Sequence, residues 1–296
     1  MLLVLAVMSA CTTPSQGGST SSGSSGSSTS CSSLTASSST SARVSSSQSA
    51  QPSSSLGARS SSLSAQQSSS AVTAPPCVLY VTESQGYRHE VLPHSVDVLT
   101  GEAGGAYTLE HHETLQGALG RLPSASVLVF FTTGELTMDA AHKQAILDFV
   151  SNGGGFVGIH SATDTFYAWP EYGQLVGARF NGHPWHEDVG LKVVGPAHPA
   201  TAHLPATFRI TDEIYQFEEF AASEATVLVE LDTAATDMNK AGIEQQPFGF
   251  PLTWIRSYGS GRVFYTALGH GAVWDDQRFR THVRNGILWA AGMDAP

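Results

Sequence analysis

The sequence predicts an α/β domain built on a mainly parallel central sheet. Three observations predict it. Short apolar runs recur at Cys77-Val78-Leu79-Tyr80-Val81-Thr82, Ser126-Val127-Leu128-Val129-Phe130-Phe131 and Phe156-Val157-Gly158-Ile159, each with the length and composition of a strand buried on both faces. Amphipathic segments separate them, and this strand–helix alternation implies parallel strands covered by helices on both sides. Gly153-Gly154-Gly155 stands where a helix must stop and a strand begin, a place that suits glycine's access to left-handed backbone angles.

Taken in order, the first strand, 77–82, breaks at a polar loop over 83–89. A helix follows over about 90–99, with Val91, Ser95, Val98 and Leu99 on one side. Residues 107–111 read as a second strand, 115–122 as a short helix and 126–131 as the third strand. Thr137 is the expected cap of the next helix, whose apolar stripe is Ala141, Ile146, Leu147, Phe149 and Val150. The fourth strand, 156–159, runs into His160-Ser161-Ala162-Thr163-Asp164. Polar groups just past a strand's carboxyl end lie where open α/β sheets bind ligands. A short helix is expected over 169–176. Strands are expected at 189–194 and 226–231, with little helix between. A hairpin about Gly259-Ser260-Gly261 joins 251–258 to 262–267. Phe279, Val283, Ile287, Leu288 and Ala291 mark a closing amphipathic helix.

Composition divides the 296-residue chain. Residues 12–76 are Ser-rich and contain no Asp, Glu, Lys or His, with Arg43 and Arg59 their only charges. Such a segment cannot bury enough apolar surface to offset chain entropy and reads as a disordered linker. The apolar start, residues 1–11, ends in small residues before Cys11. That pattern is similar to a bacterial lipoprotein signal, with Cys11 as the lipidated residue. The expected location is the cell envelope, lipid-anchored or secreted, with membrane contact through that anchor only. Residues 77–296 form the expected folded domain and hold all 25 acidic residues of a chain whose net charge is -11. An acidic domain with no basic run argues against a nucleic-acid partner. The three cysteines show no metal spacing and imply no disulfide framework.

Gly153-x-Gly155-x-x-Gly158 matches a dinucleotide-binding pattern, but those glycines must follow a strand and open a helix. Here they follow a helix and enter a strand, so the reading is rejected. His160 carries more weight because other histidines share its position. All twelve histidines lie at or after His89, and His89, His160 and His270 each follow a predicted strand. If those strands are parallel neighbours, the three imidazoles meet in one crevice, where they can move protons or ligate a metal. His183 lies in the Gly182-to-Glu187 run. Asp164 and the Asp212-Glu213 pair are the available carboxylates, although Asp212-Glu213 reads equally well as a solvated turn. Aromatics including Tyr87, Tyr215 and Trp254 fall near the same loops and suit the apolar faces of sugar rings. The catalytic candidates are His160, Asp164 and Glu213. The candidates for substrate binding are His89, His183, Tyr215, Trp254 and His270. No cofactor motif is present; a divalent metal is the one cofactor these histidines could hold.

Gly86-Tyr87-Arg88-His89, Gly153 to Asp164, Gly182-His183-Pro184, Thr211 to Phe217 and Gly261 to His270 together resemble the ThuA-like (trehalose-utilisation) family. The resemblance covers roughly 77–292. It implies a flavodoxin-like three-layer sandwich of the class I glutamine amidotransferase type, without that class's cysteine nucleophile. It also implies a small-molecule carbohydrate as partner. Two functions follow. One is a tethered enzyme acting on a keto-sugar or glycoside by His-based acid/base chemistry, with or without a metal. The other is a non-catalytic carbohydrate-binding lipoprotein module. Convergent, inward-facing imidazoles favour the first; separated, packed imidazoles favour the second.

Overall fold

The computed structural model describes residues 74–293. The expected signal with Cys11, and the Ser-rich segment up to residue 73, lie outside the described residues.

β1 (Cys77–Val81), β2 (Thr108–His112), β3 (Val127–Phe130) and β4 (Gly155–Ile159) alternate with α1 (Leu92–Ala103), α2 (Leu115–Leu119) and α3 (Ala140–Ser151). After α4 (Pro170–Val176) come β5 (Arg179–Phe180), β6 (Trp185–Val193), β7 (Thr207–Ile214), β8 (Phe217–Glu218), β9 (Thr226–Leu231), β10 (Pro251–Tyr258) and β11 (Gly261–Thr266). α5 (Gln277–Ala290) closes the domain. The large sheet has the order β2-β1-β3-β4-β11-β10-β9-β6-β7. Its first five strands are parallel, in the 2-1-3-4-5 order of flavodoxin-like folds, with β11 in fifth place. From β10 onward the pairings are antiparallel. β5 and β8 form a separate two-stranded ribbon.

Two glycines of β4 show why helices can cover both faces. A Cβ on Gly155 would lie 2.5 Å from the Ala290 carbonyl oxygen of α5. A Cβ on Gly158 would lie 2.9 Å from Tyr265 and 3.5 Å from Val176 of α4. Residues three apart on a strand face opposite sides, so α5 and α4 sit on opposite faces and approach β4 this closely because side chains are missing there. Gly153 has φ +111°, as the helix-to-strand turn requires.

Several local expectations are corrected. The cap of α3 is Asp139, whose carboxylate accepts the His142 N–H, rather than Thr137. Asp212-Glu213 is not a solvated turn. It lies within β7, is buried, and pairs in register with Glu187 and His186 of β6. Cys77 is disulfide-bonded, where the cysteine spacing implied no disulfide.

Candidate active site: a histidine–glutamate cluster at the strand ends

β1 and β3 lead to crossovers on opposite sides, which opens a crevice between their carboxyl ends. The exit loops around it are laced together. Gln85 N–H and Gly86 N–H donate to the Thr133 carbonyl, at 2.8 and 3.1 Å. Gly134 N–H donates to the Asp164 carbonyl at 2.7 Å, and Phe166 N–H to that of Gly134 at 3.1 Å. Thr133 Oγ1 donates to Ser161 Oγ at 3.1 Å.

Into this frame the chain sends His89 after β1, His160 after β4, His270 after β11 and Glu213 from β7. Each offers a ligand atom, and the four atoms lie within 4.8 Å of one another. His160 has φ +46°, a left-handed conformation that is costly for a residue with a Cβ. Its carbonyl accepts the Tyr265 hydroxyl at 2.7 Å, which holds the turn in place. Its Nδ1 lies 2.6 Å from the Ala267 carbonyl. A carbonyl only accepts, so Nδ1 carries a proton, and in the neutral ring Nε2 is the nitrogen with a free lone pair. Nε2 is buried and has no hydrogen-bond partner, and the same holds for Nδ1 of His89 and of His270.

Glu213 joins the cluster from the antiparallel half of the sheet. Its Oε2 lies 3.4 Å from His160 Nε2 and 3.2 Å from His270 Nδ1. These contacts are close, but neither is aligned as a hydrogen bond. Its Oε1 faces outward, 3.3 Å from His183 Nδ1 and 3.8 Å from His186 Nδ1, both on more exposed rings. Burial pushes the Glu213 carboxyl up, but the His160 and His270 imidazoles outweigh it and hold the group well below the ordinary carboxylate range. The Glu213 carboxylate, ahead of the opposing effect of burial, pushes His270 up. Burial, with repulsion from His160 and His270, pushes His89 down to about 3, so its ring is neutral at physiological pH.

Three bare or buried imidazole nitrogens and one anionic oxygen within a few ångströms fit a divalent metal. Ligands round one such ion stand ~3–4 Å apart, so little adjustment is needed. The Ala267 carbonyl on His160 Nδ1 is the orienting partner that a metal-bound histidine normally has. The geometry therefore brings His89, His160, Glu213 and His270 together and sets His183 at their outer edge.

The other candidates sit differently. Tyr215 is buried and packs on His160, with ring centroids 4.1 Å apart. Asp164 lies at the rim, where its Oδ1 accepts the Tyr167 hydroxyl at 2.9 Å. Burial raises its carboxyl, against the lowering effect of that bond. Trp254 is not at the crevice. It is fully buried, donates its indole N–H to the Val176 carbonyl at 2.9 Å and stacks on Tyr265 with centroids 4.2 Å apart. Its placement as a substrate-binding residue is corrected: it is a core residue behind the His160 turn.

Two further residues, to which sequence reasoning gave no site role, build the site. Phe131, at the β3 exit, packs its ring 5.2 Å from His89 and 6.0 Å from His160. Asp212 is buried and accepts three backbone N–H groups: Gly269 at 2.7 Å, His270 at 3.1 Å and Glu213 at 2.9 Å. It thereby ties the loop of one candidate ligand to the strand of another. Only the acidic pair beside Tyr215 could have flagged it.

Fold and crevice define a flavodoxin-like α/β protein with a histidine-rich site at its strand ends. Residues 77–290 match the sequence model of the ThuA family, described as trehalose utilisation, and the chain belongs to that family. Among solved structures it is similar to a ThuA-like protein from Bacteroides uniformis, at 21% identity over 75% of this chain and 94% of that one, with a TM-score of 0.61. It is also similar to a ThuA-like protein from Parabacteroides merdae, at 22% identity over 75% and 92% of the two chains, again with a TM-score of 0.61. Both likenesses concern the fold. No match was found among curated proteins.

Proposed function

We propose that this protein is a metal-dependent enzyme acting on a sugar that carries a carbonyl group. The observation that supports this reading is the cluster of His89, His160, Glu213 and His270, with buried nitrogens left unpaired. Separated, packed imidazoles would have favoured a plain binding module. When bound, a divalent ion supplies Lewis acidity to a carbonyl oxygen, which makes the neighbouring carbon–hydrogen bond more acidic.

The protein's own groups divide the remaining work. His160, with Nδ1 committed to Ala267, offers Nε2 alone to the crevice and serves as a ligand rather than a proton carrier. Glu213 supplies the negative charge that offsets the ion. Asp164, outside the ligand set, is the carboxylate at the rim and takes the proton from the carbon beside the carbonyl. Its raised carboxyl makes it a stronger base than an ordinary aspartate. The expected reaction class is isomerisation or elimination on a keto-sugar. The apolar start before Cys11 and the Ser-rich stretch after it support a location at the cell envelope, held by a lipid anchor.

The test is a full chain stripped of metal and titrated with zinc and manganese by calorimetry, beside a screen of sugars and keto-sugars with and without the ion. One ion per chain and turnover that needs it are expected, with both lost in His160→Ala and His270→Ala. Full turnover in those variants, or no stoichiometric binding of either ion, would refute the proposal.

A further inference from the structure

We infer that Tyr87 is the face on which the sugar ring stacks, and so a specificity-determining residue of this site. The inference rests on the sugar reading above and is tested separately from the metal.

Among the described residues the exposed large apolar side chains are Tyr87, Tyr167, Val194 and Met293, and Tyr87 is the most exposed at 61%. It stands over the cluster. Its ring lies nearly parallel to that of His270, at 15° with centroids 6.3 Å apart. It meets His89 edge-on, at 85° and 4.9 Å. One flank of the phenol thus rests on two candidate ligands while the rest of the side chain is open to solvent.

The loop that carries Tyr87 is held firmly. Gln85 and Gly86 both donate to the Thr133 carbonyl. The backbone contact is so close that a Cβ on Gly134 would lie 2.6 Å from the Gly86 nitrogen. A side chain presented on so fixed a loop loses little entropy when a ligand settles on it. Tyr167 makes a useful contrast. Its hydroxyl donates to Asp164 and to the Phe180 carbonyl, and the Arg179 guanidinium lies 5.6 Å from its ring centre. Tyr167 is therefore committed to the fold, whereas the outer face of Tyr87 remains available.

A pyranose has an apolar C–H face and a rim of hydroxyls. Laid on the open part of the Tyr87 ring, it sits at the mouth of the crevice, beside the His89 and His270 rings that Tyr87 meets. An extended, acyclic polyol lacks such a face and gains nothing from the ring.

The experiment uses the zinc-loaded full chain, with trehalose and methyl α-glucopyranoside as probes, followed by calorimetry and saturation-transfer NMR. Tyr87→Ala is expected to weaken binding roughly fivefold to tenfold, the scale of an aromatic stacking contact. Tyr87→Phe should bind within about twofold of the wild type, because the ring and not the hydroxyl carries the contact. Zinc titration should be unchanged in both variants. The inference is overturned if Tyr87→Ala binds as well as the wild type, if Tyr87→Phe loses as much as Tyr87→Ala, or if the wild type binds neither probe at tens of millimolar. Zinc binding with sugar affinity indifferent to Tyr87 sinks this inference alone. Sugar binding that depends on Tyr87 in a chain that takes up no zinc supports it and sinks the metal reading instead.

Discussion

Replacing Asp212 by Asn tests whether the candidate site is organised from behind. Both Asp212 oxygens are buried, and every partner they have is a donor. Oδ1 takes the N–H of His270 and of Glu213, and Oδ2 takes that of Gly269. Burial pushes the carboxyl up, but no acceptor waits for a carboxylic proton, so the ionised form fits the contacts. Asn keeps one oxygen. In its better orientation that oxygen stays at the Oδ1 position, and the amide N–H₂ faces the Gly269 N–H across 2.7 Å. One hydrogen bond to a charged acceptor is lost, a buried donor is left unpaired and two bonds weaken. With hydrogen bonds to charged groups worth about 1.5–3 kcal/mol, the net cost is about 3 kcal/mol. For a domain of this size that lowers Tm by roughly 6–12 °C. The same substitution loosens both the His270 loop and the Glu213 strand, so metal affinity should fall about 10–100-fold, as for other partners that orient ligands. Differential scanning calorimetry of the metal-free protein reads the first effect, and a competition titration with a zinc chelator reads the second. A Tm within about 2 °C of the wild type together with unchanged zinc affinity would refute the reasoning.

Further outcomes follow from the same geometry. Zinc must displace the proton that Glu213 helps His270 hold, so apparent zinc affinity should rise with pH, by up to about tenfold per unit for one proton, and level off above the raised His270 value. Zinc titrations across that range check the slope; a flat profile removes His270 from the ligand set. Trp254→Ala should cost about 3–5 kcal/mol, because it empties a fully buried site, yet leave zinc stoichiometry intact in the folded fraction. Denaturant unfolding with parallel metal analysis reads both. His282 is fully buried, bonds the Ala200 carbonyl at 2.7 Å and is pushed down to about 4 by burial. The unfolded chain takes up that proton first, so the stability is present above about pH 6.5 and is lost as pH falls toward 4, about 3 kcal/mol in all. In the metal-free protein, His282→Gln should flatten that part of the urea-midpoint profile; an unchanged slope would assign the acid sensitivity elsewhere.

The parallel half of the fold was legible because its code is local. Apolar runs bounded by polar loops marked β1, β3 and β4, and the glycines at 153–155 marked the turn between α3 and β4. The strand-end rule then placed His89, His160 and His270 together without knowledge of any contact. The antiparallel half was harder to read. β7 alternates exposed and buried residues as far as Asp212 and then buries Glu213 and Ile214 as well. Two adjacent carboxylates read equally well as a turn because burying them needs partners, and those partners, the Gly269 and His270 N–H groups and the His160 and His270 imidazoles, are more than fifty residues away in the chain. Trp254 was misplaced for the opposite reason. A tryptophan near functional loops in sequence says nothing about which face of its strand it occupies, and here that face is the core.

The origin of Glu213 bears on how such a site comes to exist. A bare flavodoxin-like core could offer the three imidazoles from its own strand ends, but three neutral rings give no negative charge to balance a divalent ion. The carboxylate comes from β7, the far edge of the antiparallel extension in strand order, and it reaches the crevice because Asp212 binds that strand to the β11 exit loop. The extension is thus more than a lateral wall. It completes the charge of the cluster, and Glu213 also carries His183 and His186 on its outer oxygen, so that one residue joins the buried donors to the solvent-facing rim. Glu213→Gln should therefore do what no single histidine substitution does: keep the shape of the crevice, with the buried imidazoles in place, while removing the charge that makes a divalent ion welcome. Zinc affinity should fall by more than in His89→Gln, and Tm of the metal-free protein should change by less than in Asp212→Asn. Calorimetric zinc titrations of the three variants side by side would reverse this account if His89→Gln proved the more damaging.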